Sequence, residues 1–90
     1  MEELIGKVRE EFGLEVKDMA DAWKLVEWLE EREWVVYIIT AKNRKQVDAW
    51  HPRYGTLFAQ FGEVSNFGSI LEGILTVALL AKELEEKGTI

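Results

Sequence analysis

Residues 42–53 gather the positive charge of this 90-residue chain. Lys42, Arg44, Lys45 and Arg53 stand against Asp48 alone, a local net of +3 in a chain whose total is −6, leaving −9 for the rest. Trp50 and His51 lie in the same stretch and Tyr54 follows it. Cations beside flat rings suit a small anionic ligand with a planar group: the ring stacks while Arg or Lys holds phosphate or carboxylate. Arg44, Lys45 and Arg53 are the candidate phosphate holders, and Trp50, His51 and Tyr54 the candidate stacking and polar groups. The same pattern also fits a solvated strand–turn–strand with ordinary loop charges.

The glycine-containing stretch from Gly62 to Ser69 leads into a helix start, where unpaired N–H groups attract anions. Ser65 and Asn66 join the candidate ligand set on that ground. This is not a phosphate-binding loop of the Walker type, since no lysine follows the second glycine, and it is not a dinucleotide fingerprint. Ser69 is explained equally well as a helix cap paired with Glu72.

Catalytic groupings are sparse. There is no cysteine and one histidine. That removes a thiolate nucleophile, a disulfide framework, a zinc finger and any His-rich metal site within one chain. His51 could act as a base and Ser65, Ser69 or Thr56 as a nucleophile, but no spacing singles out a triad, and His51 before Pro52 reads as a turn residue. The carboxylate pairs Glu2-Glu3, Glu10-Glu11, Glu30-Glu31 and Glu85-Glu86 sit near Lys or Arg on helical stretches and read as solvated faces. The expectation is a protein that is not an enzyme, with no cofactor and no metal.

The acidic balance disfavours general nucleic-acid binding, because like charges repel a phosphate backbone. The start Met1-Glu2-Glu3 lacks the basic residues of a signal peptide. The longest apolar run, Ile74 to Ala81, is eight residues including Thr76, against the ~20 that a membrane span needs. No membrane partner and a cytoplasmic location, the host cytoplasm if the chain is viral, are expected.

The elements that must position these residues follow from periodicity. An apolar fraction of 48% over 90 residues supports one domain, residues 1–90, with a single core. Leu4, Ile5, Val8 and Phe12 predict a short helix over 2–12, stopped by Gly13. Asp18 reads as the N-cap of a second helix, about 19–32, with Met19, Ala22, Val26 and Leu29 on one face, Leu25 at its edge and Trp23 and Trp28 elsewhere. Trp34 to Thr40 is β-branched and aromatic on both alternating faces, which predicts a strand that is central or covered on both sides. Alternation over 46–50 and 56–61 predicts two further strands, separated at Pro52. A capping box at Ser69 and Glu72 opens the last helix, about 70–87. The fold class is therefore α+β: helix-helix-strand-strand-strand-helix, a three-stranded antiparallel meander packed by helices in a sandwich-like α/β/α arrangement. Its core is residues 18–87.

The last helix is apolar on more than one side. Beyond the stripe Ile70, Ile74, Val77, Ala81 and Leu84 runs a second row, Leu71, Leu75 and Leu79. Two covers are available: the N-terminal helix, or a second copy of the chain. The reading favours the second copy, with Trp28 at the rim, so that Trp28, Leu71, Leu75 and Leu79 form a homo-oligomer interface.

Met19-Ala20-Asp21-Ala22-Trp23-Lys24-Leu25-Val26-Glu27, the aromatic-rich strands, and Ile70-Leu71-Glu72-Gly73-Ile74-Leu75-Thr76-Val77-Ala78-Leu79-Leu80 together resemble the phage ABA sandwich family over about residues 18–84. The family's "AW-x-V-E" helix corresponds to Ala22-Trp23 through Val26-Glu27. In the closing helix Gly73-Ile74 stands where Ala-Ile would be usual. The resemblance implies helix/sheet/helix layering, a phage or prophage origin and no established catalytic residue. Some small phage domains of this kind look like anti-defence sponges, oligomers that sequester cyclic or ADP-ribose-like nucleotide signals without hydrolysing them. The function expected by that analogy is sequestration of a small anionic nucleotide by a self-associating protein. An interaction module that inhibits a host protein, or a phage accessory protein, is the alternative.

Overall fold

A computed structural model describes residues 1–61 and 67–88. In chain order the elements are α1 (Glu2–Phe12), α2 (Met19–Glu31), β1 (Val35–Ala41), β2 (Arg44–His51), β3 (Gly55–Thr56), α3 (Leu57–Phe61) and α4 (Ile70–Gly88). The three strands form one antiparallel sheet in the order β1-β2-β3, and the class is α+β, as the periodicity predicts.

The helix ends are made where the capping residues lie. Gly13 takes a left-handed conformation (φ 64°) and returns its N–H to the Arg9 carbonyl, closing α1; a side chain there would meet the following carbonyl. Asp18 Oδ1 accepts the Asp21 N–H at 3.1 Å, satisfying a donor that the first turn of α2 leaves open, while Asp21 Oδ2 reaches back to the Lys17 N–H at 2.9 Å, just before the cap. Ser69 Oγ accepts the Glu72 N–H at 3.1 Å at the head of α4.

Helices α2 and α4 pack on each other and share one side of the sheet. The α2 stripe of Ala22, Leu25, Val26 and Leu29 is buried with Ile74, Val77, Ala78 and Ala81 of α4 and with Val47 and Ala49 of β2. Met19, assigned to that stripe by spacing, is exposed at the start of α2. Trp28, assigned to a subunit rim, is half-buried within the chain. Its ring meets Phe12 of α1 edge-on at 4.9 Å and carries the Arg32 guanidinium at 4.5 Å, so it closes the seam between α1 and α2.

Gly73 sets the distance between α4 and the sheet. A β-carbon built there falls 2.5 Å from Val47 Cγ2 and 2.9 Å from Phe67 Cδ2. Val47 is β-branched and fully buried on the middle strand, so it has no rotamer into which to retreat. Gly73→Ala is expected to destabilise the fold by about 1–3 kcal/mol by overpacking, despite the ~1 kcal/mol of helix propensity that alanine brings. Gly6, in α1, has nothing within 4 Å of its absent β-carbon. Gly6→Ala should therefore stabilise by about 0.5–1 kcal/mol. Denaturant melts of the two variants check the opposite signs.

Several expectations are corrected. The segment 56–61 is not a strand: pairing stops at Thr56 and residues Leu57–Phe61 are helical. Thr56 Oγ1 accepts the Ala59 N–H at 3.1 Å and Asp48 Oδ1 the Phe58 N–H at 3.3 Å, so the donors that open this turn have acceptors that a continued ladder would not offer. The first strand is neither central nor covered on both sides; β1 is an edge, and Val35, Tyr37, Ile38 and Ile39 are exposed. It starts at Val35, with Trp34 buried just before it. The helix/sheet/helix layering implied by the family resemblance also differs from what is seen, since among the described residues no helix covers the outer face of β1. The middle strand, β2, is longer than the 46–50 alternation by three residues, running Arg44–His51.

Candidate functional site

The basic and aromatic residues are distributed by β2. Arg44 opens the strand and His51 closes it, seven residues on; at about 3.3 Å per residue the two ends lie roughly 23 Å apart. Arg44 and Lys45 therefore sit at the hairpin end, and His51, Arg53 and Tyr54 at the other. Lys45 Nζ donates to the Ala41 carbonyl at 3.0 Å, bracing its own hairpin. Alternation along the strand also places Trp50 on the face opposite to His51. The structure thus does not bring Arg44, Lys45, Trp50, His51, Arg53 and Tyr54 to one site. Ser65 and Asn66 lie outside the described residues.

At the far end His51 and Tyr54 do meet, and both rest on Trp34. The Trp34 ring is 4.9 Å from His51 and stacks nearly parallel to Tyr54 (13°, 5.9 Å); His51 and Tyr54 are 5.0 Å apart. Trp34 Nε1 donates to Glu85 Oε2 at 2.9 Å, and Glu85 Oε1 accepts from Arg32 Nε at 2.8 Å, which ties this end of the sheet to α4. His51 Nδ1 accepts the Arg53 N–H at 3.0 Å, so Nε2, 3.0 Å from the Arg32 carbonyl, carries the proton and donates. Both ring nitrogens are committed to backbone, and the imidazole has no lone pair left for a substrate proton. The Arg53 guanidinium lies 5.5 Å from the Tyr54 ring centre. This is a cross-braced strand end rather than an open pocket.

The residues assigned to an oligomer interface are largely internal. Leu75 is fully buried in the lone chain, and Leu71, Leu79 and Trp28 are half-buried against the core. The row that demanded a cover finds much of it in the same chain. An open groove of about 470 Å³ remains between α1 and α4, its lining including Leu4 and Leu79 with Lys7 against the more numerous Glu10, Glu11 and Glu83. A second, of about 340 Å³, lies over Trp28, Arg32, Lys82 and Glu85. Neither touches residues 42–54, and the acidic lining of the larger one suits no phosphate.

The surface that sequence reasoning missed is the outer face of the sheet. The pairings Val35↔Trp50, Tyr37↔Asp48 and Ile39↔Gln46 put these side chains on one face. Val35 (46%), Tyr37 (47%), Ile39 (51%) and Trp50 (39%) are exposed there. Asp48, buried in their midst, turns its Oδ1 to the N–H groups of Ala49 and Phe58, which holds the start of α3 beside the face; Phe58 is also exposed. The signal was present in the apolar residues on both alternating faces of 34–39. It reads as burial inside one chain, whereas the fold leaves one of those faces exposed to water.

Among the described residues no group of three or more His, Asp or Glu side chains is placed to hold a metal ion, and no helix is long and apolar enough to cross a membrane. No family model matches this chain, and neither does any curated protein or solved structure.

Proposed function

We propose that the chain is a non-enzymatic protein-interaction module whose binding surface is the outer face of its sheet. The observation that carries this reading is the exposed cluster Val35, Tyr37, Ile39, Trp50 and Phe58 on one side of a sheet whose other side is packed by α2 and α4. A sheet face this apolar is stable in water when a further layer covers it. The occupant that fits is an amphipathic helix of another protein: its apolar stripe would meet the cluster, and acidic flanks would meet Lys42 and Arg44 at the hairpin end. The rest of the chain is net negative, so attraction for an acidic helix is confined to this part of the surface. Inhibition of a host protein, as a phage origin would imply, is one use of such a module.

Affinity capture from cells that express the chain, followed by a synthetic peptide of the captured protein's acidic amphipathic segment, tests the reading. The peptide should bind the purified chain, bind less well as salt rises, and lose about 30-fold in affinity with Trp50→Asp, the range for removing a buried aromatic anchor. Equal binding by Trp50→Asp would sink it. Titration with cyclic dinucleotides and cyclic ADP-ribose isomers is run beside it. Heat that disappears in Arg53→Ala would replace the helix by a nucleotide at the Arg53–Tyr54 end of the sheet, which is the sequestering function that the family analogy suggests.

A further inference from the structure

The two edges of the sheet are treated very differently. The β3 edge is two residues long and follows closely on Pro52, so it offers little for another strand to pair with. The β1 edge is seven residues, Val35 to Ala41, with no charge, no proline and no bulge; its register with β2 runs unbroken from Val35↔Trp50 to Ala41↔Arg44. Among the described residues none of the devices that normally keep an edge from pairing is present.

Backbone phase says what that edge offers. Ala41 and Arg44 flank a two-residue turn and pair directly, so they exchange backbone hydrogen bonds with each other. Stepping back by twos, Ile39, Tyr37 and Val35 are bonded to β2 in the same way. The N–H and C=O groups of Val36, Ile38 and Thr40 therefore point away from the sheet, and Ile38 is the middle residue of the strand.

We infer that β1 pairs antiparallel with β1 of a second copy about a two-fold axis at Ile38, joining two three-stranded sheets into one of six strands. In that register Ile38 faces the partner's Ile38 and Val36 faces the partner's Thr40, which makes about six backbone hydrogen bonds, the most that any register of these outward groups allows. Every side chain brought together is uncharged: Tyr37 falls beside the partner's Ile39, and Val35 beside the partner's Ala41. The flanks select the antiparallel direction. Glu30, Glu31 and Glu33, with Arg32 among them, make a net −2 flank before the strand, while Lys42, Arg44 and Lys45 follow it, so each acidic flank meets the partner's basic one. A parallel pair would set like against like. This interface is distinct from the Trp28 and leucine row on the helical side. It extends the proposed module without depending on it, since the edge carries the pairing and the outer face stays open, doubled and continuous across both copies.

Sedimentation of the full chain from about 1 to 500 µM should show a species of twice the 10.4 kDa chain mass growing in with concentration. Ile38→Lys, which sets two ammonium groups against each other at the axis, should move the midpoint to at least about tenfold higher concentration. Thr40→Pro removes one outward N–H without touching the ladder to β2 and should weaken the dimer in the same direction. Trp50→Asp should leave the mass unchanged, which separates failure of this pairing from failure of the outer-face reading. In the unaltered chain, amide exchange of Ile38 should slow as concentration rises while that of Tyr37 does not, so the pairing is tested even if a variant folds poorly. A monomer throughout with fast Ile38 exchange would overturn it. So would a dimer that survives Ile38→Lys, or one lost only in Trp50→Asp.

Discussion

Trp34→Ala is expected to remove about 3–5 kcal/mol of stability, out of the roughly 5–15 kcal/mol that holds a domain together. Trp34 is 2% exposed although it lies outside every regular element. Its ring supports His51 and Tyr54, and its indole N–H is bonded to Glu85, which in turn accepts from Arg32. Truncation opens a cavity under the strand end and leaves a half-buried carboxylate with one partner fewer. Trp34→Phe keeps an aromatic ring but loses the N–H and part of the indole's volume, so it should cost less, about 1–3 kcal/mol. Urea unfolding of the two variants measures how much of the loss a smaller ring recovers. A Trp34→Ala midpoint within error of the parent would mean that the aromatic cluster does not hold the sheet end to α4.

Leu75→Ala should cost about 2–5 kcal/mol, and the loss should not depend on protein concentration. Leu75 is fully buried within one chain, so its cavity opens inside the protomer and not between protomers. Leu79, half-buried over the α1–α4 groove, should cost under about 1.5 kcal/mol as alanine, since only part of its surface is removed from water. Thermal melts at two concentrations, a hundredfold apart, decide the matter. A Leu75→Ala defect that grows on dilution would restore the helical face as a subunit contact.

The contrast between these leucines shows where helical spacing stops being informative. The pattern identifies Leu71, Leu75 and Leu79 as an apolar row but says nothing about how closely α1 approaches it. Gly73 is a similar case. By motif it is only a departure from the alanine expected there, and the reason appears in the crossing of α4 over β2, where Val47 occupies the space a methyl group would need. The basic and aromatic residues of 42–54 are close in sequence and therefore look like one site. An extended strand separates its ends by its full length and its alternate side chains by the thickness of the sheet, so they are divided among two ends and two faces.

The boundaries of α1, α2 and α4, the α+β class and the hairpin of β1 and β2 were decided by the amino-acid sequence alone. Gly13, Asp18 and Ser69 with Glu72 act through hydrogen bonds that close within four residues, and such bonds need no knowledge of the rest of the chain. Tertiary structure decided that β1 is an edge, that Asp48 reaches across to the Phe58 N–H and holds the start of α3, that Leu75 is internal, and that Val35, Tyr37, Ile39 and Trp50 are left open to water. Each of these depends on which surfaces meet across long stretches of chain, and side-chain periodicity describes a surface without saying what will lie against it.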